Sequence, residues 1–399
     1  MDTTPDRILG RCLSKVKPLV SEAERSPMGA MKKLIQEQPD IRNLALGEAS
    51  FDPPDELVQI ASSVMADKVA RPNRYTTTRG LPEMRKAVAR FTERLTGIAV
   101  DADETILITV GGTEALHLAT KVLLEPGDRV LLANPGWGPM ATLAQRQGAA
   151  LEYYELEKQE AWHITEEPIL ERLEPGVKLV VVNSPSNPTG AMISAEGLRR
   201  VVERAKETET FVISDEVYHN FAYSRPFASA LPYDPSLENL MLVNSFSKSL
   251  AITGWRLGYA IAHPWLIRQM DVYKESMSAC TPSVAQWAVA QYLDSADEYL
   301  AGVSALCESN VRRLTEIMRA IPGVKCPAAE GGFYLFPSFE GMGLTSMQVV
   351  ERLLRGGVAV TSGSAFGSLG EAAVRLCVAM YWEDLEVAAR RIEAALTSS

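Results

Sequence analysis

From about residue 105 the chain alternates short apolar runs with longer stretches whose apolar residues recur at helical spacing. Residues 105–110 (TILITV) predict a strand, and 114–124 a helix closed by Glu125-Pro126-Gly127-Asp128. Further strands are expected over 129–133, 178–183, 210–214, 240–244 and 257–262, with a helix over 137–147. Continuous Val/Ile/Leu runs separated by helices predict a mostly parallel sheet covered by helices on both faces, since such strands have no polar side to alternate. Past Ala262 the pattern turns helical, and 297–320 keeps that spacing until Pro322-Gly323 stops it. Strands over 332–336, 358–361 and 374–378, with helices over 345–354 and 382–396, predict a second, smaller α/β domain. The expected organisation is an N-terminal arm with part of the small domain (1–45), a large domain (46–285) and a small C-terminal domain (286–399).

Composition narrows the class. Hydrophobic residues at 46% and charged residues at 23% match a packed soluble protein. No apolar run approaches the ~20 residues that cross a bilayer, so no membrane association is expected. The start, MDTTPDRILGRCLSKVKPLV, lacks the apolar stretch of a signal peptide. Lys and Arg number 40 against 50 Asp and Glu, a net charge of −10 without a basic block. A nucleic-acid partner is therefore not expected, because phosphate neutralisation supplies most of that affinity. The five cysteines (Cys12, Cys280, Cys307, Cys326, Cys377) never form a CxxC pair, which fits reduced thiols and a cytoplasmic location. The four histidines are scattered without HExxH, so no metal site is expected.

Ligands of α/β sheets bind beyond the carboxyl ends of the strands. The residues expected there are Gly111-Gly112-Thr113, Trp137, Asn187, Asp215 with Tyr218, Ser245 through Lys248, and Arg256. Gly111 and Gly112 join a strand to a helix, which suits either an anion at the helix N-terminus or a plain tight turn. Asp215 can keep a ring nitrogen protonated, or cap a helix; Tyr218 can donate to a phenolate, or simply pack. Most informative is Asn244-Ser245-Phe246-Ser247-Lys248, followed eight residues after the lysine by Arg256. A desolvated lysine beside cations is a Schiff-base nucleophile, and a guanidinium suits a phosphate dianion.

With Asn183-Ser184-Pro185-Ser186-Asn187-Pro188-Thr189-Gly190, Ser214-Asp215-Glu216-Val217-Tyr218 and Gly331-Gly332-Phe333-Tyr334, this set resembles the fold type I pyridoxal-phosphate enzymes. Within them it looks like the class I/II aminotransferases, over nearly the whole chain from about Ser26. Leu46-Gly47-Glu48 through Pro54, the stretch from Tyr75 to Leu81, and Arg375 extend the likeness. The resemblance implies an aspartate-aminotransferase-like fold, pyridoxal 5'-phosphate as cofactor, and amino acid and 2-oxo acid substrates. It implies that Lys248 carries the cofactor as an aldimine and then shuttles the proton, while Asp215 pairs with the ring nitrogen. Tyr218 and Asn187 would bond the 3′ oxygen, and Trp137 would stack on the ring. Gly112, Thr113, Ser245 and Arg256 would hold the phosphate. Arg375 would clamp the substrate carboxylate, helped by Asn187 and the backbone near Gly47. Tyr75 would reach the phosphate of a neighbouring subunit, which implies a homodimer. Asn187-Pro188 matches the family's cis peptide.

Ala49-Ser50 and Ser362-Gly363 depart from the family pattern at segments bordering the substrate entrance. Met28, Gly29 and Met31 suit either that entrance or core filling. Another outcome on the same cofactor (β- or γ-elimination, replacement or cyclisation) is the alternative reaction. A non-catalytic ligand sensor would be expected to lack Lys248, Asp215 or Arg256, or to carry a DNA-binding module; all three residues are present.

Overall fold

The computed structural model describes residues 40–67, 72–158 and 162–397. Its centre is a seven-stranded sheet. In chain order the strands are β1 (Ile106–Thr109), β2 (Arg129–Asn134), β3 (Ala150–Glu155), β4 (Val177–Asn183), β5 (Phe211–Asp215), β6 (Leu240–Ser245) and β7 (Gly258–Ala262). They lie side by side as β1-β7-β6-β5-β4-β2-β3. Strands β2 to β6 pair in parallel, and β7 runs antiparallel to both its neighbours. Helices α1 (Asp55–Ala66) and α2 (Pro82–Thr96) precede the sheet. The helices α3 (Gly111–Leu123), α4 (Gly138–Arg146) and α5 (Ala195–Glu207) lie between its strands, and α6 (Pro264–Met277) and α7 (Ser283–Tyr292) follow it.

Side chains alternate between the two faces, as the two-residue period of a strand requires. Leu107, Val130, Leu132, Leu179, Val181, Ile213, Met241 and Val243 share one cluster with Leu116 and Ala119 of α3. Their neighbours Ile106, Ile108, Leu131, Val180, Val182, Val212, Leu240 and Leu242 pack on the other face with Leu198 and Val201 of α5. Both faces are covered, which is why the strands read as unbroken apolar runs. The sequence pattern did not reveal β3, because its Glu152 and Glu155 belong to an edge strand that meets water. Helix α3 starts at Gly111 rather than 114, so the paired glycines form its first turn.

A second core gathers α8 (Asp297–Ala320), α9 (Ser346–Arg355) and α10 (Trp382–Thr397) around a three-stranded antiparallel sheet. Its strands β8 (Tyr334–Leu335), β9 (Thr361–Ser362) and β10 (Val374–Cys377) lie in the order β8-β10-β9. Leu44 and Phe51 join this core although they precede the large sheet. The single strand expected over 358–361 is divided. Val358–Ala359 pairs in parallel with Arg42–Asn43, and Thr361–Ser362 pairs with β10. Its first partner lies more than three hundred residues away, beyond the reach of any local pattern.

Among the described residues no helix is long and apolar enough to cross a membrane. No cluster of His, Cys, Asp and Glu there could hold a metal. Cys12, Met28, Gly29 and Met31 lie outside the described residues, as does the arm over 1–39.

Candidate active site

The carboxyl ends of β1, β2, β4, β5 and β6 open on a cavity of about 570 Å³ closed on one side by β10. Gly47, Gly112, Thr113, Trp137, Asn187, Asp215, Tyr218, Ser245, Lys248, Arg256 and Arg375 all line it. Of the residues to which the resemblance gives a role, Tyr75 alone is outside this lining. Its side chain is 87% exposed on the segment before α2.

Each side chain is delivered by a local device. Asp215 is the last residue of β5, and Lys248 sits on the single helical turn Phe246–Ser249 that follows β6. Ser245 caps that turn by accepting from the Ser247 N–H at 3.2 Å. Its hydroxyl donates to the Leu257 carbonyl at 3.1 Å, which ties the lysine turn to the strand behind it. Arg256 adopts the left-handed region at φ 57, a conformation rare for a residue with a long side chain. That twist lets Nη1 donate to the Thr253 carbonyl at 3.0 Å. The Asn187-Pro188 peptide is cis, as are Asn134-Pro135 and Ser184-Pro185.

Lys248 Nζ donates to the carbonyl of Gly47, across from the large sheet. A Cβ on Gly47 would collide with the hydroxyl of Tyr334, so the approach requires glycine. Arg375 is 3% exposed. Its Nη1 donates to Asn187 Oδ1 at 3.0 Å and its Nη2 to the Ala45 carbonyl at 2.5 Å. The guanidinium lies 4.5 Å from the centre of the Tyr334 ring and 5.1 Å from that of Phe366. Among the described residues no carboxylate pairs with it, and its Nε is buried without a hydrogen-bond partner.

Burial sets the electrostatics. It draws the Lys248 amine down to about 8; Arg375 and Arg256 push the same way, while Cys377 and Glu48 oppose them. Burial also raises the Asp215 carboxyl to about 7, against the Val217 N–H and Lys248. The Tyr218 phenol is held well above its ordinary value, first by burial and then by Tyr334. Perturbed groups converging on one cleft mark a functional site.

Pyridoxal phosphate fits this donor set. Its phosphate needs cations and free N–H groups, which Arg256 and the first turn of α3 offer. Gly111 sits at φ +71, and a Cβ there would lie 2.7 Å from Arg256 Nη2, so only glycine leaves that cradle open. Its ring nitrogen calls for a buried carboxylate and its aldehyde for a depressed amine; Asp215 and Lys248 supply both.

The sequence reading left two positions without a role. Tyr334, quoted only as part of Gly331-Gly332-Phe333-Tyr334, exchanges a hydrogen bond with the Tyr218 hydroxyl at 2.9 Å and backs Arg375. Asn183 accepts from the Asn187 N–H at 2.8 Å and donates to the Asp215 carbonyl at 3.0 Å. It thereby couples the turn after β4, which carries Asn187, to the end of β5. Both stand inside quoted motifs, which was the available signal.

Residues 39–392 match the family model "Aminotransferase class I and II". The chain is 32% identical over 377 residues to an aspartate aminotransferase of Pyrococcus horikoshii, covering 94% of this chain and 95% of that one. An aspartate/prephenate aminotransferase of Thermus thermophilus is 30% identical, with 96% and 98% covered. Among solved structures, the aspartate aminotransferase from Thermus thermophilus with maleate superposes with a TM-score of 0.87 at 28% identity, over 97% and 99% of the chains. The N-succinyldiaminopimelate aminotransferase from Mycobacterium tuberculosis gives 0.86 at 26% identity, over 92% and 96%. A family match spanning nearly the whole chain, joined to a half-buried lysine and a buried aspartate and arginine around one cavity, makes this protein a member of the class I and II aminotransferases, pyridoxal-phosphate-dependent enzymes of amino-group transfer.

Proposed function

We propose that this cavity moves an amino group between an α-amino acid and a 2-oxo acid, with Lys248 as its base and Arg375 as its carboxylate anchor. The observation that carries the reading is the convergence of Lys248, Asp215 and Arg375, all buried or nearly so, on one space. The bound cofactor supplies an electron sink for the substrate Cα–H bond. Asp215 keeps the proton on the ring nitrogen, Asn187 and Tyr218 bond the ring oxygen, and Trp137 covers one face. Gly112, Thr113, Ser245 and Arg256 grip the phosphate. Arg375 binds the substrate carboxylate through two parallel charge-assisted bonds, beside Gly47 and Asn187. Nζ of Lys248, whose pKa burial lowers to about 8, takes the proton from Cα in its uncharged form.

The reading includes a homodimer in which Tyr75 serves the partner's site, and a cytoplasmic location. Exposed Tyr75, together with Trp265, Val272, Tyr273 and Met277 on the outer side of α6, supports assembly. The free thiols of Cys280, Cys307, Cys326 and Cys377 support a reducing compartment. The proposed division is a large domain over 46–285 and a small one over 286–399. Phe51 packs with the small core, and Leu293 and Leu300 with the large one, so the cores interlock across both cuts.

Aspartate is the donor to assay first, because relatives at 30–32% identity carry that name. Incubated with the holoenzyme and no oxo acid, it should release one equivalent of oxo acid per bound cofactor and no ammonia. Ammonia released over many turnovers would replace transfer by elimination.

A further inference from the structure

We infer that Glu114, Lys274 and Ser278 are positioning residues for the cofactor's phosphate, holding the turn before α3 in its binding shape. The inference rests on the proposed phosphate role of that turn. None of the three lines the cavity, so each acts through the backbone.

Lys274 is fully buried on α6, and Glu114 in the first turn of α3 is 7% exposed. Lys274 Nζ lies 2.7 Å from Glu114 Oε2 and donates to Ser278 Oγ at 3.0 Å. The same Oε2 accepts the N–H of Val110 at 2.6 Å, and Oε1 accepts the Ser278 hydroxyl at 2.6 Å. Three directional bonds thus converge on one carboxylate, and one of them grips the residue that caps α3. With Val110 N–H occupied, the first-turn donors left for a ligand are those of Gly111, Gly112 and Thr113, which have no intrahelical acceptor. The loop beyond Ser278 is tied to β1 as well, through the Thr281 hydroxyl and the Ile108 carbonyl at 3.1 Å.

Charge explains why the carboxylate needs its lysine. A lone glutamate one turn into α3 would repel a phosphate dianion at the same helix end; Lys274 cancels it. Stability does not require the pair, since a buried ion pair rarely outperforms an apolar replacement of equal volume. Leu266, Ile267 and Met270 already seat α6. What the pair adds is direction.

The test compares apoprotein affinity for pyridoxal phosphate with that for pyridoxal, which lacks the phosphate, by absorbance titration. Glu114→Gln/Lys274→Met should lose on the order of tenfold in pyridoxal phosphate affinity, the equivalent of ~1.4 kcal/mol. Its pyridoxal affinity should stay within about twofold of the wild type, since a tenfold change would need that same ~1.4 kcal/mol. Inorganic phosphate should also compete less well against the variant. Lys274→Met alone strands a buried carboxylate and can fail to fold. Ser278→Ala, which leaves the ion pair intact, therefore carries the same comparison in a milder form. Variants that keep the wild-type preference for the phosphorylated ligand overturn the inference. So do variants that weaken for both ligands alike, which would signal general loosening. A wild type with no such preference would instead remove the phosphate reading beneath it.

Discussion

Lys248 is a side chain that water would keep charged, held in a cavity wall where burial draws its amine down to about 8. Only the uncharged amine attacks an aldehyde, so the uptake of cofactor by the apoprotein should quicken as pH rises through about 8 and level off above it. Stopped-flow absorbance between pH 6.5 and 9.5, a range that reaches about 1.5 units to either side of the shifted value, reads this directly; a flat profile contradicts it. Borohydride reduction and peptide mapping should place the label on Lys248, and Lys248→Ala should carry none. Arg375 has the complementary design, a permanent charge with neutral partners and a buried Nε left open. Arg375→Lys retains the charge but not the planar fork. It should lower kcat/KM by roughly ten- to a thousandfold, a loss of ~1.5–4 kcal/mol of transition-state binding, with cofactor absorbance unchanged. Full activity of that variant toward amino acids would end the anchor assignment.

At the scale of elements, the site depends on where strands stop and helices begin. Continuous apolar runs made six of the seven strands of the large sheet legible between residues 106 and 262, because both faces are covered there, whereas the water-facing edge strand β3 carried no such run. The first turn of α3 was less legible, since glycines carry little helical signal, yet Gly111 there must be glycine. Gly111→Ala places a methyl 2.7 Å from Arg256 Nη2 and forces φ +71 on an alanine, which costs about 1–2 kcal/mol before any clash. The expected result is a lower Tm together with weaker retention of pyridoxal phosphate on dialysis. A variant with wild-type Tm and retention would show that the cradle tolerates a side chain.

Across the whole molecule, the site joins two cores that interlock. Lys248 follows a large-sheet strand and reaches Gly47, whose neighbours Leu44 and Phe51 pack in the small core. Arg375 comes from β10 and reaches Asn187 on the large sheet's side. Tyr75 is exposed and does not line the cavity of its own chain, and in the proposed homodimer it would serve the partner's site. Light scattering of the holoenzyme should give twice the 43.6 kDa chain mass. Tyr75→Phe should weaken cofactor retention in the dimer without dissociating it. An active monomer at assay concentration would refute the shared site.

The sequence by itself determined the parallel sheet, the order of its strand-end residues and the chemistry they carry. These depend on local period and on residue types such as Ser245, Lys248 and Arg256, which fall within the single stretch 245–256. The tertiary structure alone decided three things. It divided 358–361 between two partners, one of them Arg42–Asn43. It set Tyr334 behind both Tyr218 and Arg375. It also buried Lys274 against Glu114, 160 residues apart. Each of these is a contact between distant segments, and its energy depends on which surfaces the packed cores leave facing one another. A one-dimensional pattern of apolar and polar positions holds no record of that pairing.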